Sequence, residues 1–255
     1  MTATSHIPRL LLVVPCYNEA ERLPHFLPLL AETLEGVDCL IQVVDDGSQQ
    51  VQLAATGALV EELRTRFPTR LGPLLPLPAN LGKGAAIRAG WRAHPGSELL
   101  AFVDADGAVS PREVHRVVHL AMAAPEKAYF ASRVKMLGRN VNRSLLRHFV
   151  GRVYATAVSL RLNIAVYDSQ CGLKIVPRAL FAGRDSLFEE NGFAFDLELL
   201  AALLDQGFLI QEVPVDWTHV SGSKIHLIRD SIRLYLSLNR VARRRAKWTS
   251  PNKIK

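Results

Sequence analysis

Hydrophobic residues in this chain fall into short blocks separated by longer stretches of mixed character. "RLLLVVPCYNE" (9–19), "CLIQVVDDGS" (39–48) and "ELLAFVDADG" (98–107) are near-continuous apolar runs that break off into polar clusters. Each predicts a strand buried on both faces, as in a parallel sheet. Between them, "AERLPHFLPLLAETLEG" (20–36) predicts a helix with Gly36 as its stop, and residues 51–66 predict a second. "GPLLPLPAN" (72–80) is strand-like but proline-rich, which suits an edge position, and "GKGAAIRAGWRA" (82–93) opens another helix. "SPRE" (110–113) reads as a capping box, with Ser110 at the N-cap, Pro111 at N1 and Glu113 at N3.

The second half is less regular. "KAYFASRV" (127–134) predicts a strand, 144–162 a helix, "YDSQCGLK" (167–174) a polar loop, "FAFDLELLAALLDQG" (193–207) a helix with a glycine stop, and "FLIQEVPVDW" (208–217) a strand. Strand and helix alternating in this way predict an α/β fold, a mostly parallel sheet flanked by helices. No linker divides the chain, so a single domain is expected. Ligands of such sheets bind beyond the C-terminal ends of the strands. "PCYNE", "VVDDGS" and "VDADG" are therefore expected to converge on one site.

Composition changes this picture little: 255 residues, 49% hydrophobic and 22% charged, suit an ordinary globular chain. Three cysteines lack framework or metal spacing, no leader-like segment opens the sequence, and no apolar stretch reaches 18 residues. The expectation is a cytoplasmic protein without its own membrane span. The net charge of +7 matters more, because it is unevenly placed. Residues 225–246 put Arg229, Arg233, Ser237, Arg240 and Arg244 on one helical stripe, with Ile225, Ile228, Ile232, Tyr235 and Leu238 on another side. That is either a basic amphipathic helix lying on an anionic membrane or a packed helix with its arginines in water. Residues 145–160, apolar at Leu146, Phe149, Val150, Val153 and Ala157, offer a second interfacial helix or plain core. The basic residues have no interleaved aromatic surface, so nucleic acid is not an expected partner.

The polar clusters carry the chemistry. At strand spacing, Asp104 and Asp106 point the same way if the strand persists that far, and such a carboxylate pair suits Mg²⁺ or Mn²⁺ together with substrate phosphates. A surface turn with two solvated aspartates is the alternative. Asp45 or Asp46 can accept hydrogen bonds from a nucleotide base or ribose, or be ordinary turn residues. Lys83 in "NLGKGAA" reaches a diphosphate or base, or is a solvated helix-start lysine; the spacing is wrong for a Walker loop. His115 and His119 stand at i, i+4 without a third ligand and read as partly exposed helix histidines.

In order, "VVPCYNE", "VVDDGS", "NLGKGAAIRAG" and "FVDADGA" resemble the nucleotide-sugar half of family-2 inverting glycosyltransferases with the GT-A (Rossmann-like) fold. "ASR", "RSLLRHF", "DSQCGLK", "FAFDLELL" and "GSKI" are similar to dolichyl-phosphate β-glucosyltransferases and related polyprenyl-phosphate glycosyltransferases, over roughly residues 9–228. The resemblance implies a nucleotide-sugar half at about 9–110, an acceptor half at about 111–224 (together a 1–224 catalytic domain), and a basic amphipathic helix and tail at 225–255. It implies metal-dependent inverting transfer of a hexose, glucose by the motif set, from a UDP-sugar to a polyprenyl phosphate. The protein would then sit peripherally on the inner face of the cytoplasmic membrane.

Under that resemblance Pro15, Tyr17, Asn18, Glu19, Asp45, Asp46, Lys83, Asp104 and Lys174 would bind nucleotide-sugar, and Asp104 and Asp106 a Mg²⁺ or Mn²⁺ ion. Arg133 and Arg143 would clamp the acceptor phosphate, with Arg139 and Arg147 as further candidates. Where mannosyl relatives place a glutamine after the D-x-D, this chain has Ala108. A lipid-phosphate acceptor is already ionised and needs no strong base. A hydroxyl acceptor does, and Asp196 or Asp168 would then serve, unless both organise the acceptor loop instead. A hydroxyl acceptor, or a silent nucleotide-sugar or membrane-binding protein, are the competing readings.

Overall fold

The computed structural model describes residues 6–142, 145–163, 166–182, 184, 188–220 and 227–248, without the side chains of 142–150, 227–234 and 246–248. A seven-stranded sheet runs in the order β3 (Leu75–Pro76), β2 (Cys39–Asp45), β1 (Leu10–Cys16), β4 (Leu99–Val103), β7 (Leu173–Pro177), β5 (Ala128–Ser132), β8 (Ile210–Pro214). All neighbours are parallel except β7, which is antiparallel to both β4 and β5. Two further short strands, β6 (Val141–Asn142) and β9 (Trp217–Thr218), pair apart from the main sheet.

Alternation along the strands builds two cores. Leu10, Leu12 and Val14 of β1 and Leu99, Ala101 and Val103 of β4 face α1 (Leu23–Thr33), α2 (Gln50–Arg66) and α4 (Pro111–Ala123). Leu11 and Val13, with Leu100 and Phe102, face α3 (Lys83–Ala93), α5 (Leu145–Leu162), α6 (Phe195–Asp205) and α7 (Leu227–Trp248). Every β4 side chain is at most 1% exposed, and burying each large one contributes about 1.5–3 kcal/mol. The proline-rich strand is at the edge, as expected, and only two residues long. Gly36 and Gly207, at φ +80° and +75°, follow α1 and α6 in the left-handed conformation that L side chains avoid.

Two expectations need correction. "LKIVP" was not foreseen as a strand, yet β7 lies inside the sheet between β4 and β5. The capping box closes on one side only: the Ser110 hydroxyl accepts from the Glu113 amide at 3.4 Å, while the Glu113 carboxylate turns to Arg116 and Arg139.

The C-terminal helix is a packed one. α7 lies against α5 and α6, with Leu238 and Val241 fully buried. Its arginines do not all face solvent or a membrane. Arg244 binds Glu190 and Glu198, Arg240 binds Glu190, and Arg245 binds Asp205. Ile225 and the side chains of Ile228, Arg229, Ile232 and Arg233 lie outside the described residues, as do those of Leu146, Phe149 and Val150. On α5, Val153 and Leu160 are exposed while Val158 and Leu162 are core. Among the described residues no helix is long and apolar enough to cross a membrane.

Candidate active site

Parallel β1, β2 and β4 end side by side, so the loops after Cys16, Asp45 and Val103 open on the same edge of the sheet. The start of α3 comes to that edge as well. β7 leaves from it, and its antiparallel register sets Leu173 opposite Val103. The loop before β7 therefore touches the D-x-D segment directly: the Asp104 amide donates to the Gly172 carbonyl at 2.8 Å. A β-carbon on Gly172 would overlap the Asp104 carboxylate, which is why glycine fits there.

Asp104 and Asp106 both act on Lys83 electrostatically, but strand geometry does not extend as far as Asp106. β4 stops at Val103, and Asp106 sits in a turn where its carboxylate accepts from the Ala108 amide at 3.0 Å. Lys83, the first residue of α3, is the cation between the acids. Its ammonium is 2.6 Å from Asp104 and 3.8 Å from Asp196 and lies 4.9 Å from the centre of the Phe102 ring. Burial alone would lower its proton affinity; Asp104, Asp196 and Asp106 together raise it well above the ordinary lysine value. Asp104 is held above the usual carboxylate range, first by burial and also by its acidic neighbours, against the pull of Lys83.

Beneath this layer lies a second ion pair. Lys174 of β7 is completely buried, 2.5 Å from Asp196 and 2.8 Å from the Cys171 carbonyl. It thus lies under the site and acts on it through Asp196 and the 168–172 loop, rather than meeting a diphosphate itself. The Cys171 thiol is pushed up to about 12, chiefly by burial and then by Asp168, which leaves no thiolate for chemistry near neutral pH.

Arg133 follows β5, and its Nε and Nη2 grip Asp168 at 2.6 and 2.7 Å, with the guanidinium 5.6 Å from the Trp217 ring. Only Nη1 of its fork is not engaged by Asp168. Burial would raise the Asp168 carboxyl, but Arg133 and two backbone amides hold it far below the usual range. So depressed a carboxylate is a weak base. Arg139 is committed to Glu113 at 3.0 Å. Arg143 and the side chain of Arg147 lie outside the described residues.

The first two strand ends form the other wall. Pro15 is the penultimate residue of β1, and Tyr17 beyond it is exposed. Asn18, at φ +52°, is tied to the second loop: its amide donates to the Ser48 hydroxyl at 2.7 Å, and its side-chain carbonyl accepts from the Gln49 amide at 2.9 Å. Glu19 is buried and paired with Arg22. Asp45 uses one oxygen on the Ser48 amide at 2.8 Å; the other is buried without a hydrogen-bond partner. Asp46 instead spends both oxygens on the Leu81 and Gly82 amides, 2.8 Å each, and so holds the loop that carries Lys83.

Sequence reasoning passed over two residues here. Arg22 lies within the field of both D-x-D carboxylates. Burial would lower its guanidinium, and Glu19, Asp106 and Asp104 more than offset that. Gly172 shapes Asp104. The "YNEAER" and "QCGLK" stretches contain them, but neither has a spacing that points across the chain. His115 is half-buried and His119 exposed, with their Nε2 atoms 3.0 Å apart, and no group of three His, Cys, Asp or Glu side chains converges as a metal cage among the described residues.

Residues 11–183 match the family described as Glycosyl transferase family 2. A dolichyl-phosphate beta-glucosyltransferase of Trichomonas vaginalis is 30% identical over 258 residues, spanning 94% of this chain and 73% of that protein. Polyprenol monophosphomannose synthase of Mycolicibacterium smegmatis is 30% identical over 227 residues, spanning 85% and 83%. In fold, the chain is similar to Mycobacterium tuberculosis glucosyl-3-phosphoglycerate synthase crystallised with Mn²⁺, uridine diphosphate and glucosyl-3-phosphoglycerate. The TM-score is 0.65 at 17% identity, over 92% of this chain and 80% of that one. A mostly parallel sheet whose strand ends gather an acidic cluster around Lys83, together with these matches, identifies the chain as a glycosyltransferase belonging to glycosyl transferase family 2.

Proposed function

We propose that this enzyme transfers a hexose, glucose in the first instance, from a UDP-sugar to a polyprenyl phosphate with inversion. One observation carries the choice of acceptor: both carboxylates available as general base, Asp168 and Asp196, are already locked in buried ion pairs with Arg133 and Lys174. A hydroxyl acceptor must lose a proton to such a base, whereas a phosphate monoester arrives ionised and needs only positioning. The names of the relatives, a dolichyl-phosphate glucosyltransferase and a polyprenol phosphomannose synthase, agree with that acceptor class.

On the donor side, the unpartnered oxygen of Asp45 suits a hydrogen-bond donor of a nucleotide base. Pro15, Tyr17, Asn18 and Glu19 form the adjoining wall. Lys83 is placed to meet the diphosphate, with Asp46 fixing its loop. Arg133, through Nη1, and Arg143 are assigned to the acceptor phosphate.

The acidic cluster fits a hard divalent ion. Asp104, Asp106 and Asp196 share Lys83, and the two D-x-D carboxylates offer oxygen ligands without a closed protein cage, as Mg²⁺ or Mn²⁺ completed by diphosphate and water requires. Held by Asp104 and Asp106, such an ion would neutralise charge on the departing diphosphate. Exposed Val153, Leu160, Tyr235 and Leu236 on α5 and α7 suit peripheral contact with a membrane holding the lipid acceptor. Basic residues near an anionic surface would add about 1 kcal/mol each.

The test is transfer of labelled glucose from UDP-glucose to a short-chain polyprenyl phosphate, with Mg²⁺ or Mn²⁺ and with chelator. A chelator-sensitive polyprenyl-phosphate-glucose product supports donor, acceptor and metal together. Transfer to a saccharide hydroxyl instead, with none to the lipid phosphate, overturns the acceptor assignment.

A further inference from the structure

The arginines of the C-terminal helix are joined to the donor side of the site by a continuous run of contacts. Glycines 82 and 84 flank Lys83, and the 190–192 backbone lies directly on them. A β-carbon on Gly82 would overlap the Asn191 carbonyl, and one on Gly84 would reach the Glu190 carbonyl and the Phe195 ring. The Ala85 amide donates to the Asn191 carbonyl at 3.1 Å. Being in the first turn of α3, that amide has no partner inside its own helix. Arg88, one turn on, donates to the Glu190 carbonyl at 3.1 Å and to the Asn191 side chain. Residues 190–192 are therefore a roof on the turn that aims Lys83.

The roof is held from behind. Glu198 of α6, with no exposed side-chain surface, accepts from the Glu189 amide at 3.1 Å and the Glu190 amide at 2.9 Å. Glu190 and Glu198 thus place two buried carboxylates side by side, which repel unless cations reach them. The cations come from α7. Arg244 bridges Glu198, at 2.5 Å, and Glu190; Arg240 adds a fork on Glu190 at 3.1 and 3.2 Å. The side chain of Arg244 is 15% exposed, so its pairs are shielded from solvent. A cavity of about 640 Å³ opens along this seam, between residues 189–194 and α7.

We infer that Arg244, supported by Arg240, is a positioning residue for the donor site: through Glu190 and Glu198 it holds the 190–192 roof that fixes the turn carrying Lys83. The inference rests on Lys83 serving the donor diphosphate, as proposed above. It gives α7 a role in donor binding distinct from any contact with lipid.

Residue-resolved amide exchange and UDP titration calorimetry test it on the full chain, with Arg244→Ala, Arg244→Lys and Arg240→Ala. Arg244→Ala is expected to speed exchange of the Ala85 amide about tenfold or more while the Gly72 amide, bonded to Ile41 across the sheet, is unchanged. UDP binding should weaken about tenfold, a difference of about 1.4 kcal/mol, and Arg244→Lys should restore most of both. If Arg244→Ala does not fold, Arg240→Ala, which leaves Arg244 on Glu190, carries the test with smaller changes in the same direction. Unchanged Ala85 exchange overturns the clasp. Faster exchange with unchanged UDP affinity overturns its role in donor positioning. A wild-type protein that binds no UDP overturns the donor reading instead, and the exchange measurement still decides whether α7 holds the roof.

Discussion

Asp196→Ala breaks the ion pair beneath the site and also removes the more distant acidic neighbour of Lys83. In the wild type the Lys174 ammonium has three kinds of neighbour: the Asp196 carboxylate at 2.5 Å, the Cys171 carbonyl at 2.8 Å, and the Phe102 and Phe130 rings at 5.4 and 5.0 Å. Removing the carboxylate leaves the carbonyl and the rings, which are already in use and so add nothing new. The lysine is completely buried. Breaking such a pair on one side costs about 3–5 kcal/mol. For a chain of this size each kcal/mol lowers the melting temperature by about 2–4 °C, so a fall of about 6–20 °C is expected. Urea unfolding followed by circular dichroism gives the free energy, read at an unchanged m value. The double variant Lys174→Met/Asp196→Ala removes the stranded charge and should be more stable than Asp196→Ala alone. A single variant within about 1 kcal/mol of wild type, or a double variant no better than the single, refutes the reasoning.

Gly172→Ala pushes a β-carbon into the Asp104 carboxylate and should cut turnover about a hundredfold, with a much smaller change in melting temperature; steady-state kinetics beside a thermal melt check this. Asp106→Ala should abolish metal-dependent transfer with an unchanged circular dichroism spectrum, and retained chelator-sensitive turnover would remove that residue from the metal site. Asp168 has a folded-state value held well below the usual carboxylate range, because Arg133 and backbone amides outweigh burial. Its contribution is therefore fully present above about pH 4, the range of an unfolded aspartate, and is lost as the pH falls through the folded value. Asp168→Asn should flatten the acid limb of stability, measured as urea midpoints at about pH 2–6.

What could be read in the sequence was what depends on near neighbours. Strands such as Leu10–Cys16 and Leu99–Val103 are announced by unbroken apolar runs, and helix stops by Gly36 and Gly207. The D-x-D and its companions at the other strand ends were legible because one topology sends all parallel strand ends to the same edge. β7 was not, since "LKIVP" is short and its direction is set by partners some seventy residues earlier in β4 and forty earlier in β5. Long-range pairing also governs the charges. Lys174 was read as assisting the diphosphate or holding its loop, Asp45 or Asp46 as a nucleotide ligand or a turn residue, and the Arg240–Arg244 stripe as facing water or lipid. Each finds a partner distant in sequence, in Asp196, in the 81–82 amides, and in Glu190 with Glu198. Helical spacing shows which residues share a stripe and says nothing of what the stripe meets.

The reversed strand in the middle of the sheet also sets an order of synthesis. As the chain leaves the ribosome, β1, β2 and β4 can pair by residue 103, but the far edge of β4, "LLAFV", stays open until Leu173–Pro177 emerges. β5 is made earlier than β7 yet joins the rest of the sheet only through it. At about 5–20 residues per second, an apolar strand edge ending at Asp104 therefore waits several seconds for its neighbour. A nascent chain stalled between residues 104 and 172 should bind chaperones and aggregate. Release of the 173–177 segment should end that exposure, so the step that completes the catalytic edge is also the one that makes the newborn protein safe in solution.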